Sequence, residues 1–169
     1  HHREDAWTWR GDPTDIALLA LAAKHGVDRE EFLRHAPRID EIPFEADRRY
    51  SASYHARDGA TWVAVKGAPE RVFGMCRLAP AVGQSAQAAA NEMVARGLRV
   101  MALASGEQRG ALDRSGPQDE PKGLELAALV GLIDPLRPEA RAAVGRCAAA
   151  GIRVIMVTGD HPVTALAIA

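Results

Sequence analysis

Two cysteines are all this 169-residue chain holds, Cys76 and Cys147, and neither has a partner at metal-ligand spacing. A disulfide framework and a zinc cluster are thereby excluded, and both thiols are expected to sit reduced in helices of a cytosolic protein. An excess of either charge is also missing. Lysine and arginine number 21 against 22 aspartates and glutamates, so there is neither a basic field for nucleic acid nor an acidic tail. No apolar run reaches the roughly 18 to 20 residues that cross a bilayer, and the polar start from His1 to Asp5 has no signal-peptide character. His1-His2 is compatible with a tag remnant. The length suits one ordinary domain with a real core, or one domain and part of another.

What is present centres on Thr61-Trp62-Val63-Ala64-Val65-Lys66-Gly67-Ala68-Pro69-Glu70-Arg71-Val72. Asp58-Gly59 favours a tight hairpin turn, so Trp62 to Val65 reads as a strand. Pro69 fits the first position of a helix, and Glu70 places a carboxylate in its first turn. Strand, Lys-Gly, helix is a geometry that holds a cation beside outward-pointing backbone N–H groups. The absent Cβ of Gly67 would let a ligand approach the backbone closely. The alternative is a solvated lysine at an ordinary strand-helix junction, and this stretch alone favours it.

Upstream, Asp12 can cap a helix that has Pro13 at its first position, with Asp15 placed to reach back to the cap. Ile16, Leu19, Ala20 and Ala23 give that helix an apolar stripe, and Gly26 ends it. Asp28 and Glu31 predict a second, short capped helix to about His35. Arg38 to Phe44 alternates like a strand, and Pro43 marks it as a sheet edge or strand end. Phe44 precedes the polar run Glu45-Ala46-Asp47-Arg48-Arg49. An aromatic beside clustered cations suits a nucleotide, though a core phenylalanine beside solvated arginines is the plainer reading.

Tyr50 to Arg57 is the next predicted strand, and with its neighbours it makes an antiparallel sheet. After the helix at Pro69, Leu78 to Ser85 reads as a loop, Gln84 to Ala95 as an alanine-rich helix stopped by Gly97, and Leu98 to Ala104 as a buried strand. Arg99 is the one charge in that strand. It sits either at an exposed strand end or toward a ligand. Residues 105 to 123 read as a surface connection without a motif. Leu124 to Ile133 is again apolar and ends in Asp134-Pro135-Leu136-Arg137-Pro138. There the pattern changes to a helix from Glu139 to Ala150, a buried strand from Ile152 to Val157, and Thr158-Gly159-Asp160 opening another helix. That is half of a βαβ unit, and its loop offers phosphate-binding groups beyond a strand end.

Lys66-Gly67-Ala68-Pro69-Glu70 resembles the lysine motif of the nucleotide-binding (N) domain of P-type cation-transporting ATPases. Three further blocks agree in order and spacing: Gly11-Asp12-Pro13-Thr14-Asp15, Ile42-Pro43-Phe44, and Asp134-Pro135 followed by Ala150-Gly151-Ile152-Arg153-Val154 and Thr158-Gly159-Asp160. The resemblance implies an α+β N domain over residues 1–133, an antiparallel sheet flanked by helices. A hinge at Asp134 and Arg137 and a partial Rossmann-like, haloacid-dehalogenase-like segment of the phosphorylation (P) domain would follow over 134–169. It also implies ATP as ligand. Phe44 would stack on adenine, Asp15 would accept from the adenine amino group, and Lys66 would lie deep in the adenine pocket, where geometry alone favoured phosphate. Gly67 and Arg49 would lie near the nucleotide, Arg99 would contact phosphate, and Thr158 and Asp160 would attend the phosphate in transfer. The chain departs from the family at Ala46, where some members carry a phosphate-facing arginine, and at Leu136, where a hinge proline is common.

The family's phosphorylated aspartate, in an Asp-Lys-Thr-Gly-Thr segment, and its magnesium-holding Gly-Asp-Gly-x-Asn-Asp segment are absent. The expectation is therefore an ATP-binding fragment of an ATP-driven cation translocase that forms no phosphoenzyme by itself. Its partners would be the remaining P, actuator and transmembrane domains of the pump, with magnesium acting in the intact protein. The parent would be an integral protein of a bacterial plasma membrane with this part in the cytoplasm. The residue pattern is closest to the calcium- or alkali-cation subgroup; the heavy-metal subgroup builds its nucleotide pocket around a His-Pro element, which residues 1–133 lack. Two other readings stand beside this one. A free-standing phosphatase of the haloacid-dehalogenase type would need an Asp-x-Asp motif, which does not occur. A non-catalytic interaction domain would keep the fold without the ligand. The unpaired edge expected after Asp134 could also pair with a second copy of the chain.

Overall fold

The computed structural model describes residues 2–3, 6–7, 12–108, 118–133 and 138–157. Two short strands, β1 (His2–Arg3) and β2 (Ala6–Trp7), pair antiparallel. Helices α1 (Pro13–Lys24) and α2 (Arg29–His35) follow, then strands β3 (Arg38–Ile42), β4 (Tyr50–Arg57) and β5 (Ala60–Gly67). Helices α3 (Pro69–Met75) and α4 (Pro80–Ala95) lead to strands β6 (Arg99–Glu107) and β7 (Glu125–Leu132), and α5 (Ala140–Ala149) comes last.

The five long strands form one antiparallel sheet in the order β3-β4-β5-β6-β7; alternation and turn signals predict its β3-β4-β5 part, and β6 and β7 extend it. Asp58 and Gly59, both at positive φ (51° and 77°), make the two-residue turn between β4 and β5. Pro43 follows the last residue of β3, which is an edge strand, so no ladder bond is lost. Caps behave as local chemistry dictates. Asp12 accepts from the Thr14 N–H at 2.9 Å and Asp28 from the Glu31 N–H at 2.7 Å. Gly26 and Gly97, at φ 75° and 78°, end α1 and α4.

One face of the sheet carries the core. Ile42, Tyr50, Ala52, Tyr54, Val63, Val65, Ala102 and Ala104 project toward α3, whose Val72 and Met75 are buried among them, and Leu124 closes the cluster. The alanines let the helix approach the sheet closely. The opposite face is only partly covered, by α1 at Lys66 and by α2 at His55. His55 is held by the Ala36 carbonyl at 2.9 Å and the Ser53 hydroxyl at 3.0 Å, with Phe32 edge-on.

Four expectations change here. α4 starts at Pro80, not Gln84, because Pro80 occupies the first helical position just as Pro69 does in α3. β6 continues to Glu107, and it is buried on the core face alone, as one face of an antiparallel sheet can be. The connection after it is not all surface: Pro121 is fully buried, and Gln118 donates to Asp40 at 2.9 Å. Finally, residues 152–157 form no strand and every one is exposed, Val157 at 91%. A parallel strand exists only through its neighbours' ladder, and no described strand lies beside this segment. The helix before it, α5, is formed as predicted and contains Cys147, whereas Cys76 lies just past α3, where its thiol donates to the Val72 carbonyl.

The chain's two tyrosines, Tyr50 and Tyr54, are both buried, and burial is the main cause that raises both phenols above 10.0, Tyr54 to about 12. A raised folded-state value contributes stability below pH 10 that is lost as pH climbs toward 12. Absorbance titration should therefore show little tyrosinate at pH 10 in the folded protein. Tyr54→Phe should lose less stability between pH 10 and 12 than the wild type, and an equal loss in both would refute the assignment.

Candidate functional site

Local sequence and strand register together bring the predicted nucleotide residues to one end of the sheet. β5 ends in Lys66-Gly67, which pair with Ser51 and Tyr50 on β4 and with Leu103 and Ala102 on β6. Residues alternate faces along a strand, so the buried Val63, Val65 and Gly67 point to the core while Lys66 points to the opposite, partly open face. There its ammonium forms an ion pair with Asp15, in the first turn of α1. Asp15 is thus turned to the sheet and not, as the capping-box expectation had it, back to the cap, which Asp12 satisfies through Thr14. Burial pushes the Lys66 ammonium below its usual 10.5, and the carboxylate of Asp12 opposes that shift.

Phe44 lies in the segment between β3 and β4 at the same sheet end, and 65% of it is exposed. It is not a core residue. Five residues on, Arg49 takes φ 58°, a left-handed conformation uncommon for a non-glycine residue. Its N–H donates to the Glu45 carbonyl at 2.8 Å, and its own carbonyl accepts from Ala68 at 2.9 Å. Its guanidinium pairs with Glu70 at 2.6 Å, both side chains being about half exposed. A pair so exposed is worth about 0 to 1 kcal/mol, so it orients Arg49 more than it stabilises the fold.

Gly67 has a different reason from the one its sequence setting implied. A Cβ there would lie 2.6 Å from the Arg49 carbonyl oxygen, 2.6 Å from the Tyr50 Cβ and 2.8 Å from the Tyr50 Cα. The space a side chain would need is filled by the chain itself and not left open to a ligand. Arg99 opens β6, exposed, and shares the Lys66 face through the alternation Arg99, Met101, Leu103. It stands four residues from Leu103, the partner of Lys66, or about 13 Å along the strand.

Phe44, Arg49, Lys66, Gly67 and Arg99 therefore lie at one end of the sheet, where Asp15 contacts Lys66; Lys66 and Arg99 share one face, whereas Gly67 points to the core and Arg49 pairs with Glu70 of α3. Asp134, Arg137, Thr158 and Asp160 lie outside the described residues. Among the described residues no group of three or more His, Cys, Asp or Glu side chains could hold a metal ion. No described helix is long and apolar enough to cross a membrane. Sequence reasoning passed over two residues of this region, Arg71 and Glu120. Arg71 follows the lysine motif directly, and that adjacency was the one available signal.

A family model described as "P-type ATPase, cytoplasmic domain N" matches residues 1–139. Among curated proteins, the chain is 41% identical to the cation-transporting ATPase pma1 of Synechocystis sp., over 99% of this chain and 19% of that protein. It is 35% identical to the sodium/potassium exporting P-type ATPase cta3 of Schizosaccharomyces pombe, over 96% of this chain and 17% of that protein. Against calcium-transporting ATPase 1 of Bacillus cereus the identity is 32%, over 94% and 19% respectively. The chain thus spans about a fifth of the length of these relatives.

Proposed function

Because the chain belongs to the P-type ATPase family, through its cytoplasmic N domain, we propose that it binds ATP and presents it to the phosphorylation domain of a cation pump. The observation that carries this is the convergence at one sheet end of an exposed aromatic ring, Phe44, with Lys66 and Arg99 on a single open face. An exposed ring is a stacking platform for a purine, and two cations about 13 Å apart along the strand direction match a base at one end and a phosphate chain at the other. In this arrangement adenine rests on Phe44 near Lys66, Asp15 accepts from its amino group, and Arg49 and Arg99 face the phosphates. Gly67 serves the site indirectly, by letting the turn that carries Arg49 lie against the end of β5.

Residues 134–169 we read as the hinge, with Asp134 and Arg137, and the start of the returning part of the phosphorylation domain, with Thr158 and Asp160 near the transferred phosphate. The parent is then an ATP-hydrolysing translocase of the calcium or alkali-cation type, with magnesium acting in the intact protein.

An ATP titration of this chain followed by amide chemical shifts, with and without magnesium, tests the reading. Shifts should cluster on Phe44, Lys66 and Arg99 and change little with magnesium. No shift at millimolar ATP would overturn nucleotide binding and favour an interaction domain that keeps only the fold.

A further inference from the structure

The segment carrying Phe44 and Arg49 leads into a turn with strain of its own. Arg49 holds a left-handed φ of 58°, which is unfavourable for a non-glycine residue and persists only where the surroundings impose it. Arg71, in the first turn of α3, supplies much of that surrounding structure. Its Nε donates to the Arg48 carbonyl at 3.2 Å, next to the strained residue. Its Nη2 donates to the Glu120 carboxylate at 2.5 Å, and its guanidinium lies over the Tyr50 ring, 5.9 Å from the centroid. One planar group thus ties three parts of the chain: the turn, α3 directly after Lys66, and the connection before β7, itself anchored by the buried Pro121. The side chain is 39% exposed.

Resting on the nucleotide reading above, we propose that Arg71 is a positioning residue for that site: it locks the 45–49 turn to the lysine-bearing strand end, so that Phe44 and Arg49 meet a nucleotide already in place, with Glu120 as its clamp. Preorganising a loop raises affinity by removing the ordering cost from the binding step. The fork geometry matters here. A lysine can keep the charge opposite Glu120 and above Tyr50, but it cannot hold the carboxylate and the Arg48 carbonyl with one rigid plane.

The test compares ATP affinity and backbone relaxation of residues 45–49 in the wild type, Arg71→Ala, Arg71→Lys and Glu120→Gln. Arg71→Ala should weaken ATP binding roughly tenfold, as loss of a charge-assisted hydrogen bond does, and raise turn mobility in the absence of ATP. Arg71→Lys and Glu120→Gln should fall between it and the wild type. In a double-mutant cycle the Arg71→Ala effect should largely vanish in a Phe44→Ala background, which a general loss of stability would not produce. Glu120→Gln keeps the question answerable if Arg71→Ala fails to fold. Unchanged affinity with unchanged turn relaxation, or strict additivity with Phe44→Ala, would overturn the inference. A wild type that does not bind ATP would overturn the nucleotide reading, while the relaxation of the turn would still show whether Arg71 orders it.

Discussion

Replacing Gly67 by alanine is expected to destabilise the domain by roughly 2 to 4 kcal/mol, lowering its melting temperature by about 5 to 15 °C. The added Cβ would sit 2.6 Å from both the Arg49 carbonyl oxygen and the Tyr50 Cβ. Two of the three nearest atoms are backbone, so relief requires β4 and β5 to separate at their paired ends or the Arg49 turn to move. The cost arises from contact and not from φ. Gly59 offers the reverse case: nothing lies within 4 Å of its Cβ position, but its φ is 77°, so Gly59→Ala should cost only the conformational 1 to 2 kcal/mol or so. Thermal unfolding of the two variants separates the causes. A Gly67→Ala protein that melts within a degree of the wild type would show that the strand end is looser than its geometry indicates. Since that same contact seats the turn beside Lys66, ATP affinity should fall with stability.

Phe44→Ala should do the opposite, costing affinity and sparing the fold. The ring is 65% exposed, so its removal sacrifices little buried area. If it stacks on adenine, its loss should weaken ATP binding by roughly ten- to a hundredfold, the usual range for a base on an aromatic platform. Lys66→Ala should weaken binding on the order of tenfold by removing a charged donor, and it leaves Asp15 half exposed and solvated rather than buried without a partner. Calorimetric titration paired with melting curves checks both. Affinity unchanged in both variants would remove the ring and the cation from the site at once. A parallel fall in melting temperature in Phe44→Ala would mean the ring has a packing role that its exposure does not reveal.

The parts of this molecule legible in the sequence are those written in three to five neighbouring residues. Asp12-Pro13 and Asp28 announce α1 and α2 because a cap is a bond to an N–H two or three positions away. Asp58-Gly59 announces the β4–β5 hairpin because that turn needs two positive φ angles. Alternation from Tyr50 to Gly67 announces the strands, and the blocks around Asp15, Phe44 and Lys66 announce the family. The start of α4 was legible too, in Pro80, although the loop-like composition around it concealed the signal. Ile152 to Val157 shows the converse. Its apolar run reads as a buried strand, but burial is a property of neighbours, and here the residues lie exposed.

By itself, then, the sequence determined the capped helices, the β4–β5 hairpin and the motif blocks that mark the family. Only the tertiary structure decided how their residues use one another. It turned Asp15 from its helix cap to Lys66, filled the space before Gly67 with Arg49 and Tyr50, and joined Arg71 to Glu120 across 49 positions. No periodicity or turn preference encodes such pairs. They arise when the strand register superimposes distant segments, and each polar group then takes the nearest partner the packed chain offers.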